Sequence, residues 1–519
     1  MTDPPVLRGL ADRPFVAVFV GSVLLAIHLW TLPRFPAPFV DEAWFANRAW
    51  SLLKHGDPVG SLDYGVVNRF PHGSRFFPIA PVIAQAGILS LAPAPSLLAL
   101  RALSVAMAFF LALAVWAIGR SLFGRSTALI AVILLALSTP FIHSGHLARY
   151  DVFAAAFAYG GIALYLLGSR SASLCFVGGF VTGLSTEFHP FAAAVAASLP
   201  VLVLYDHRLR AFVDHVPRAT LLGVALGLLV FPLAHIVPDP SSYIYLSRVI
   251  YGPTHTPHPS DFIAGLRGSV WLAFQAMTFA LPVAIWAIIE LMRMERKNGH
   301  RLVIVTVIVL LAFSVLVRNK LSYYAILFTP VLELCIAAAI TRTLFGLNFS
   351  PTSVVVTLAI AIGFVGASIR ASVSVLNEDS WLQFTHVEDK LGTVIRPGET
   401  IMGSQVYWFA LYNHTYYSWE QVVYLRRLHP ELSIAAALDT MAPDIFLRDG
   451  HLDEYISDAA GPSLYSQALR LPKQEVEDWL ENRSTVVADF DGGLYGRIRV
   501  YRMNRLSTQR EAVDGSGQH

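Results

Sequence analysis

The sequence predicts a polytopic α-helical membrane protein carrying a soluble α/β domain at its C-terminus. The first observation is apolar content. Of 519 residues 55% are hydrophobic and 14% charged, with mean hydropathy +0.54, more apolar surface than one soluble core of this size can use. The second is where the charge lies. Residues 378–519 hold 21 of the 36 acidic and 13 of the 38 basic residues, and the charged share rises there from about 11% to about 24%. The third is a series of eleven apolar segments of spanning length: 14–31, 99–119, 126–142, 151–168, 173–186, 190–205, 219–236, 267–292, 301–317, 321–341 and 352–376. The expected domains are a membrane domain over 1–377 with a long first outer loop (32–98), a soluble α/β domain over 378–504, and a disordered tail over 505–519.

Composition excludes some classes. Only five of the bases are lysines and the net charge is +2, with no basic tail or aromatic-interleaved patch for nucleic acid. Cys175 and Cys335 both lie in apolar runs, which argues against a disulfide framework or a thiolate metal site. Arg8 and Arg13 precede the first apolar segment. That segment is long for a signal-peptide core and lacks a small-residue cleavage site, so a retained signal-anchor helix is expected.

Loop charges orient the helices. A shorter apolar run, 79–93, is bracketed by Pro78, Pro81, Pro93 and Pro95. At 15 residues it rises about 22 Å as a helix, short of a bilayer core of about 30 Å. Reading it as non-crossing places Arg120, Arg125, Arg170, Arg208, Arg210, Arg218, Arg293, Arg296, Lys297, Arg301 and Arg342 on one side with Arg8 and Arg13, as the positive-inside rule requires. The N-terminus is then cytoplasmic and the C-terminal domain extracytoplasmic. In the first outer loop, DEAWFANRAWSLLKHG reads as a helix lying in the membrane surface, capped by Asp41 and ended by Gly56. In the last domain MGSQVYWFALY and DIFLRD read as strands, EQVVYLRRL and SIAAALDTM as helices, and VVADFDGGLYGRIRVYRM as a hairpin turning at Asp491-Gly492-Gly493.

Charge at a membrane boundary is expensive, so the outer loops hold the candidate chemistry. Asp41 and Glu42 form an acidic pair; each carboxylate raises the other's pKa, and a nearby cation would keep one ionised as a base. The blander reading is a helix cap and a solvated neighbour. His143, His146, Arg149 and Asp151 share the loop HSGHLARYD. Two histidines and a carboxylate leave a divalent cation open without arguing strongly for it, and Arg149 with Asp151 also reads as an interfacial ion pair. Glu187 and His189 occupy the next outer turn, which also reads as a plain polar turn. Arg318, Asn319, Lys320, Tyr323 and Tyr324 place cations on the side where short loops disfavour them, and an anionic lipid phosphate supplies a reason. Snorkelling to bulk phospholipid is the alternative. Glu333 lies mid-span and is expected to pair internally.

DEAWFANRAWSLL (41–53), PIAPVIAQAGIL (78–89), Arg101, RSLFGR (120–125), HLARYD (146–151) and NKLSYYAILFTP (319–330) occur in this order. Over roughly residues 14–341 the chain resembles the GT-C glycosyltransferases that use polyprenyl-phosphate sugars, the group of protein O-mannosyltransferases and lipid A aminoarabinose transferases. The resemblance implies transfer with inversion at C1 to a lipid, glycan or protein acceptor. It implies Asp41 as base, Asp151 as the acidic residue of the second outer loop, and Lys320 and Tyr324 at the lipid phosphate. Arg149, Arg318, Tyr323, Arg75, Glu187 and His189 complete the expected substrate-binding set, with Glu42 supporting Asp41. Glu187 and His189 depart from the lysine that many relatives carry at that turn. No β-trefoil insert is present, which points to a bacterial inner-membrane enzyme. Preplaced cations stabilise a departing phosphate without a required cofactor, although His143 and His146 remain weak metal candidates. A lipid-linked glycan ligase or polymerase is the nearest alternative, and a transporter a more distant one.

Overall fold

The computed structural model describes residues 14–70, 72–168, 170–251, 261–276, 280–293, 297–317, 321–345, 380–457 and 469–504, with scattered positions between 362 and 373. Its contacts group the chain into two units. One comprises Met1–Pro36, Arg75–Tyr243 and His255–Asp379; the other comprises Ala37–Ser74, Ile244–Thr254 and Ser380–His519. The sequence reading assigns the whole first outer loop to the membrane domain. By contacts, residues 37–74 instead pack with the C-terminal residues.

The first unit is helical. Helices occupy ten of the eleven apolar segments; the eleventh, 352–376, is described only at scattered positions, and the tail 505–519 lies outside the described residues. Among the described residues Leu97–Phe123, Pro190–Phe212, His215–Ile236 and Lys297–Leu316 are each long and apolar enough to cross a membrane alone, and Arg125–Ala136 with Thr139–His146, bent by 63°, is so only as a pair. Leu113 and Phe110 on the first of these are about 60% exposed, as lipid-facing residues are. The run 79–93 forms a helix of only 10 residues, Ala80–Leu89, which rises about 15 Å and does not span.

The span read at 267–292 is helical over Asp261–Ala276 and Ala280–Arg293, with 277–279 outside the described residues. Two segments differ from expectation. The span read from 321 begins at Thr329, because Ser322–Leu327 winds as a 3₁₀ segment. The loop read at 143–151 is shorter: His143 and His146 sit in the last turn of Thr139–His146, and Asp151 opens the helix Asp151–Leu167.

Helices Ala172–Phe188 and His215–Phe231 pack backbone to backbone. A Cβ added at Gly179 would lie 2.2 Å from the Thr220 carbonyl oxygen, one at Gly183 2.4 Å from that of Val224, one at Gly223 2.3 Å from that of Phe176, and one at Gly227 2.3 Å from that of Phe180. Gly179/Gly183 and Gly223/Gly227 are thus two facing small-xxx-small motifs, which let helices approach where lipid gives no hydrophobic drive. Glu333, expected to pair internally, is fully buried in Thr329–Phe345, and neither carboxyl oxygen has a hydrogen-bond partner among the described residues.

The second unit is built on a five-stranded mixed sheet, β1 Ile401–Gly403, β2 Tyr416–Ser418, β3 Ile445–Arg448, β4 Ser484–Asp491 and β5 Arg497–Met503, in the order β2-β1-β3-β5-β4. β1 pairs parallel with β2 and β3; β5 pairs antiparallel with β3 and β4. The hairpin, the strand in DIFLRD and the helices Glu420–Leu428 and Ile434–Met441 lie where the sequence put them. MGSQVYWFALY does not continue as a strand: after Gly403 it turns into a 3₁₀ segment, Gln405–Trp408.

Helix Val40–His55 packs on that 3₁₀ segment. Its buried face carries Ala43, Trp44, Ala46 and Ala49 together with Glu42, Asn47 and Arg48, so that face is part of a protein core. Arg48 Nε and Nη2 each donate to Asp63 at 2.8 Å, with both side chains buried.

Candidate active site

The acidic pair is placed by its own helix. The helix starts at Val40 with Phe39 at the N-cap, so Asp41 is not the cap the sequence suggested. Glu42 takes the capping role: its Oε2 accepts the Phe39 N–H at 2.9 Å, a carboxylate three residues into the helix reaching back to an orphan donor. Asp41, half-buried, stands in the first turn, where the helix N-terminus favours its ionised form. Gly56 ends the helix in the left-handed conformation (φ 74°) as expected.

In the first unit a second cluster forms from three separated segments. Arg149 Nε donates to Asp151 Oδ2 at 2.8 Å, with both residues about 2% exposed or less. The guanidinium lies 3.6 Å from the Tyr323 ring centroid and 5.7 Å from that of Tyr324, so one carboxylate and two aromatic rings hold it. Burial works against its charge, but Asp151 and the two tyrosines more than offset this and hold it above the usual arginine range. Burial likewise pushes the Tyr323 phenol well above its usual range.

His189 closes the other side. Its Nε2 lies 3.6 Å from Asp151 Oδ1 and its ring packs on Tyr324 at 5.4 Å. Burial lowers its pKa to about 4, although Asp151 pulls it up. Nδ1 accepts the Phe191 N–H at 3.2 Å, which leaves the proton of the neutral ring on Nε2, facing Asp151. Asp151 Oδ1 is buried and accepts no hydrogen bond among the described residues. An acceptor left unmet beside a fixed cation suits a site that completes its bonds when a polar ligand arrives.

The supporting contacts were not read in the sequence. Gln85, on the non-crossing helix, donates to the Ala148 carbonyl at 3.0 Å and pins the loop that carries Arg149. Ser144 Oγ donates to the Tyr323 carbonyl at 3.1 Å, and Arg101 donates to the Pro36 carbonyl at 2.8 Å. A lone glutamine in a proline-bracketed apolar run was the available signal.

Other candidate residues lie elsewhere. Glu187, buried, accepts the Ile79 N–H at 2.9 Å and pairs with His235 Nε2 at 2.8 Å, while His235 Nδ1 donates to the Arg75 carbonyl at 2.6 Å. It clasps the Ala80–Leu89 helix to its own and is not presented to a ligand. The Arg75 side chain is exposed. Both His146 nitrogens face carbonyl oxygens, Ile142 at 2.8 Å and His28 at 3.0 Å, and its ring stacks on His28. It is not directed to a metal with Asp151. His143 packs against the Phe35 ring at 5.9 Å. Among the described residues no group of three His, Cys, Asp or Glu side chains is arranged for a metal. Arg318, Asn319 and Lys320 lie outside the described residues.

No family model matches the chain, and no curated protein does. Solved structures do. ArnT of Cupriavidus metallidurans, bound to undecaprenyl phosphate, matches with a TM-score of 0.60 over 94% of this chain and 98% of its own, at 15% identity. Its apo form matches with the same score at 16% identity. This chain has the GT-C fold. The oligosaccharyltransferase of Archaeoglobus fulgidus matches with a TM-score of 0.50, covering 86% of this chain and 70% of its own, at 12% identity. At such identities the likeness is one of fold. The GT-C fold nonetheless accounts for the pairing of apolar helices with a small C-terminal sheet, and it makes the chain a multi-pass membrane protein.

Proposed function

We propose that this chain is an inverting glycosyltransferase, moving a sugar from a polyprenyl-phosphate donor to a lipid, glycan or protein acceptor on the outer face of a bacterial inner membrane. The observation that carries this reading is Arg149: a buried cation, fixed by Asp151 and two tyrosine rings, in a membrane protein whose fold is shared with an undecaprenyl-phosphate-bound transferase.

The acceptor oxygen attacks the sugar C1 as the C1–O bond to phosphate breaks, and the bonding electrons leave with the polyprenyl phosphate. Charge therefore builds on the phosphate. Arg149, held by Asp151 and Tyr323, meets it without reorganising, and Arg318 and Lys320, close to Tyr323 in the sequence, are proposed to add positive charge. The base proposed for the acceptor proton is Asp41, on the strength of the sequence resemblance alone, with Glu42 holding the start of that helix. Asp151 is better suited to orient Arg149 than to act as a base, because Arg149 already occupies one of its oxygens.

The test is donor turnover by the purified protein over a panel of polyprenyl-phosphate sugars. Lys320→Ala should weaken donor use by about 1.5–3 kcal/mol, as loss of a charge-assisted contact does, with acceptor KM nearly unchanged. Turnover of no donor, or an equal loss for donor and acceptor, would refute the reading.

A further inference from the structure

The helices of the first unit collect cations at one end. Ala172–Phe188 and His215–Phe231 run parallel, since Gly179 meets Thr220 and Gly183 meets Val224, so Arg170 and the residues before His215 share an end. Arg301 Nε donates to Asp206 at 2.7 Å, and Asn298 donates to the Leu122 carbonyl at 2.6 Å. The start of Lys297–Leu316 and the end of Leu97–Phe123 therefore lie there too. These contacts give the same grouping of cations as the loop charges, without assuming an orientation.

At this end the connector 207–218 stands apart. It joins Pro190–Phe212 to His215–Ile236, each long and apolar enough to cross a membrane. The second has 22 residues and rises about 33 Å against a bilayer core of about 30 Å, so the connector stands at the membrane boundary. Leu209, Phe212 and Val213 are 82%, 58% and 75% exposed. Arg208, Arg210 and Arg218 are exposed beside them, and among the described residues none of the three meets a carboxylate. Asp206, just before the connector, is already taken: it pairs with Arg301 at 2.7 Å and Lys297 at 3.4 Å and accepts from Tyr165 at 3.3 Å. Asp214 is the only acidic residue within 207–218. Arg208 also adopts a left-handed backbone (φ 53°), which costs any residue but glycine and suits a position where the side chain has a use.

We propose that the connector 207–218 is a binding site for anionic phospholipid, with Arg208, Arg210 and Arg218 on headgroup phosphates and Leu209, Phe212 and Val213 seated among the acyl chains. Three large apolar side chains left open together mark a contact surface. At a bilayer edge they enter the hydrocarbon, while arginine stems lie along it and carry their charge outward. Guanidinium forks match phosphate oxygens, and cations close to an anionic leaflet add their attractions. A zwitterionic headgroup offers the same phosphate with its own compensating cation, so the excess of arginine over acid selects for net negative lipid. This site requires a multi-pass membrane protein, and neither the inferred orientation nor the catalytic reading.

The full-length protein is reconstituted into bilayers of phosphatidylglycerol and phosphatidylcholine in equal amounts and extracted in mild detergent, and the lipid that stays bound is counted by native mass spectrometry. Wild type is compared with Arg208→Gln/Arg210→Gln/Arg218→Gln and with Arg293→Gln, which removes an arginine at the same end whose charge Glu290 already meets at 2.8 Å. Wild type and Arg293→Gln should retain phosphatidylglycerol over phosphatidylcholine by about fivefold or more, and the triple variant should fall to near parity. Should the triple variant fail to fold, the three single changes are read instead, and each should lower the preference where Arg293→Gln does not. No preference in wild type, an unchanged preference in the arginine variants, or an equal loss in Arg293→Gln overturns the proposal. So does a wild type that is dimeric after delipidation beside a monomeric triple variant, which would make the connector a contact between copies.

Discussion

Asp151 carries a different load from Asp41. One of its oxygens holds Arg149, and the other faces the Nε2 of His189 at 3.6 Å, too far for a hydrogen bond. Arg149→Lys keeps the charge but loses the planar contact with Tyr323 and should reduce donor use by about 10–100-fold with acceptor KM nearly unchanged; equal activity would make the stacking incidental. His189 gives a pH test. Its pKa falls from 6.5 in the unfolded chain to about 4 in the folded one, so the unfolded state binds more protons between those values. Its stabilising contribution is complete above about pH 6.5 and is lost as pH falls toward 4. His189→Gln should therefore narrow the loss of thermal stability between about pH 7 and pH 5, and an unchanged loss would show that other groups carry it. Asp41→Asn should lower turnover by about 10²–10⁴-fold with donor binding and stability nearly intact. If Asp41→Asn turns over normally and Asp151→Asn does not, the base is Asp151. The sequence displayed the charged residues of this site because charge is conspicuous among apolar residues. It did not display Gln85 or Ser144, whose roles depend on helices distant in the chain.

Among the elements, the sequence was most legible where one local rule governs. Hydrophobic runs marked the helices, and Gly56 and the Asp491-Gly492-Gly493 turn marked ends that only certain backbones permit. It was least legible where long-range contacts decide. Glu42 displaced Asp41 as the capping group once the helix began at Val40, and Glu187 was drawn into a clasp with His235. The facing glycines of Ala172–Phe188 and His215–Phe231 are four residues apart on each helix, a spacing that becomes meaningful only when the two are paired. A side chain at Gly183 would strike the Val224 carbonyl, which cannot give way as a flexible side chain would. Gly183→Val should sharply lower the yield of folded protein, whereas the same change at Gly160, where nothing lies within 4 Å, should be tolerated. Equal yields would show that the two helices do not depend on this close approach. Asp63→Ala leaves Arg48 buried without its carboxylate and should cost about 3–5 kcal/mol, read as a lower unfolding midpoint.

At the scale of the molecule, composition alone indicated a membrane part and a charged C-terminal part. The grouping of residues 37–74 with the C-terminal sheet could not be read, because it rests on contacts such as Gln421 to Leu62, 359 residues apart. The orientation inferred from arginines predicts that a reporter active only in the cytoplasm stays silent when fused after Ser380; strong activity would invert the topology. Central to the account is a site for polyprenyl phosphate built around Arg149, and binding of that lipid can be measured before either sugar or acceptor is known. Undecaprenyl phosphate is titrated into the protein in nanodiscs and followed by ³¹P NMR, for wild type and for Arg149→Leu. The account predicts saturable binding that weakens about tenfold or more in a variant that remains folded. No saturable binding by the wild type, or equal binding by folded Arg149→Leu, would contradict it.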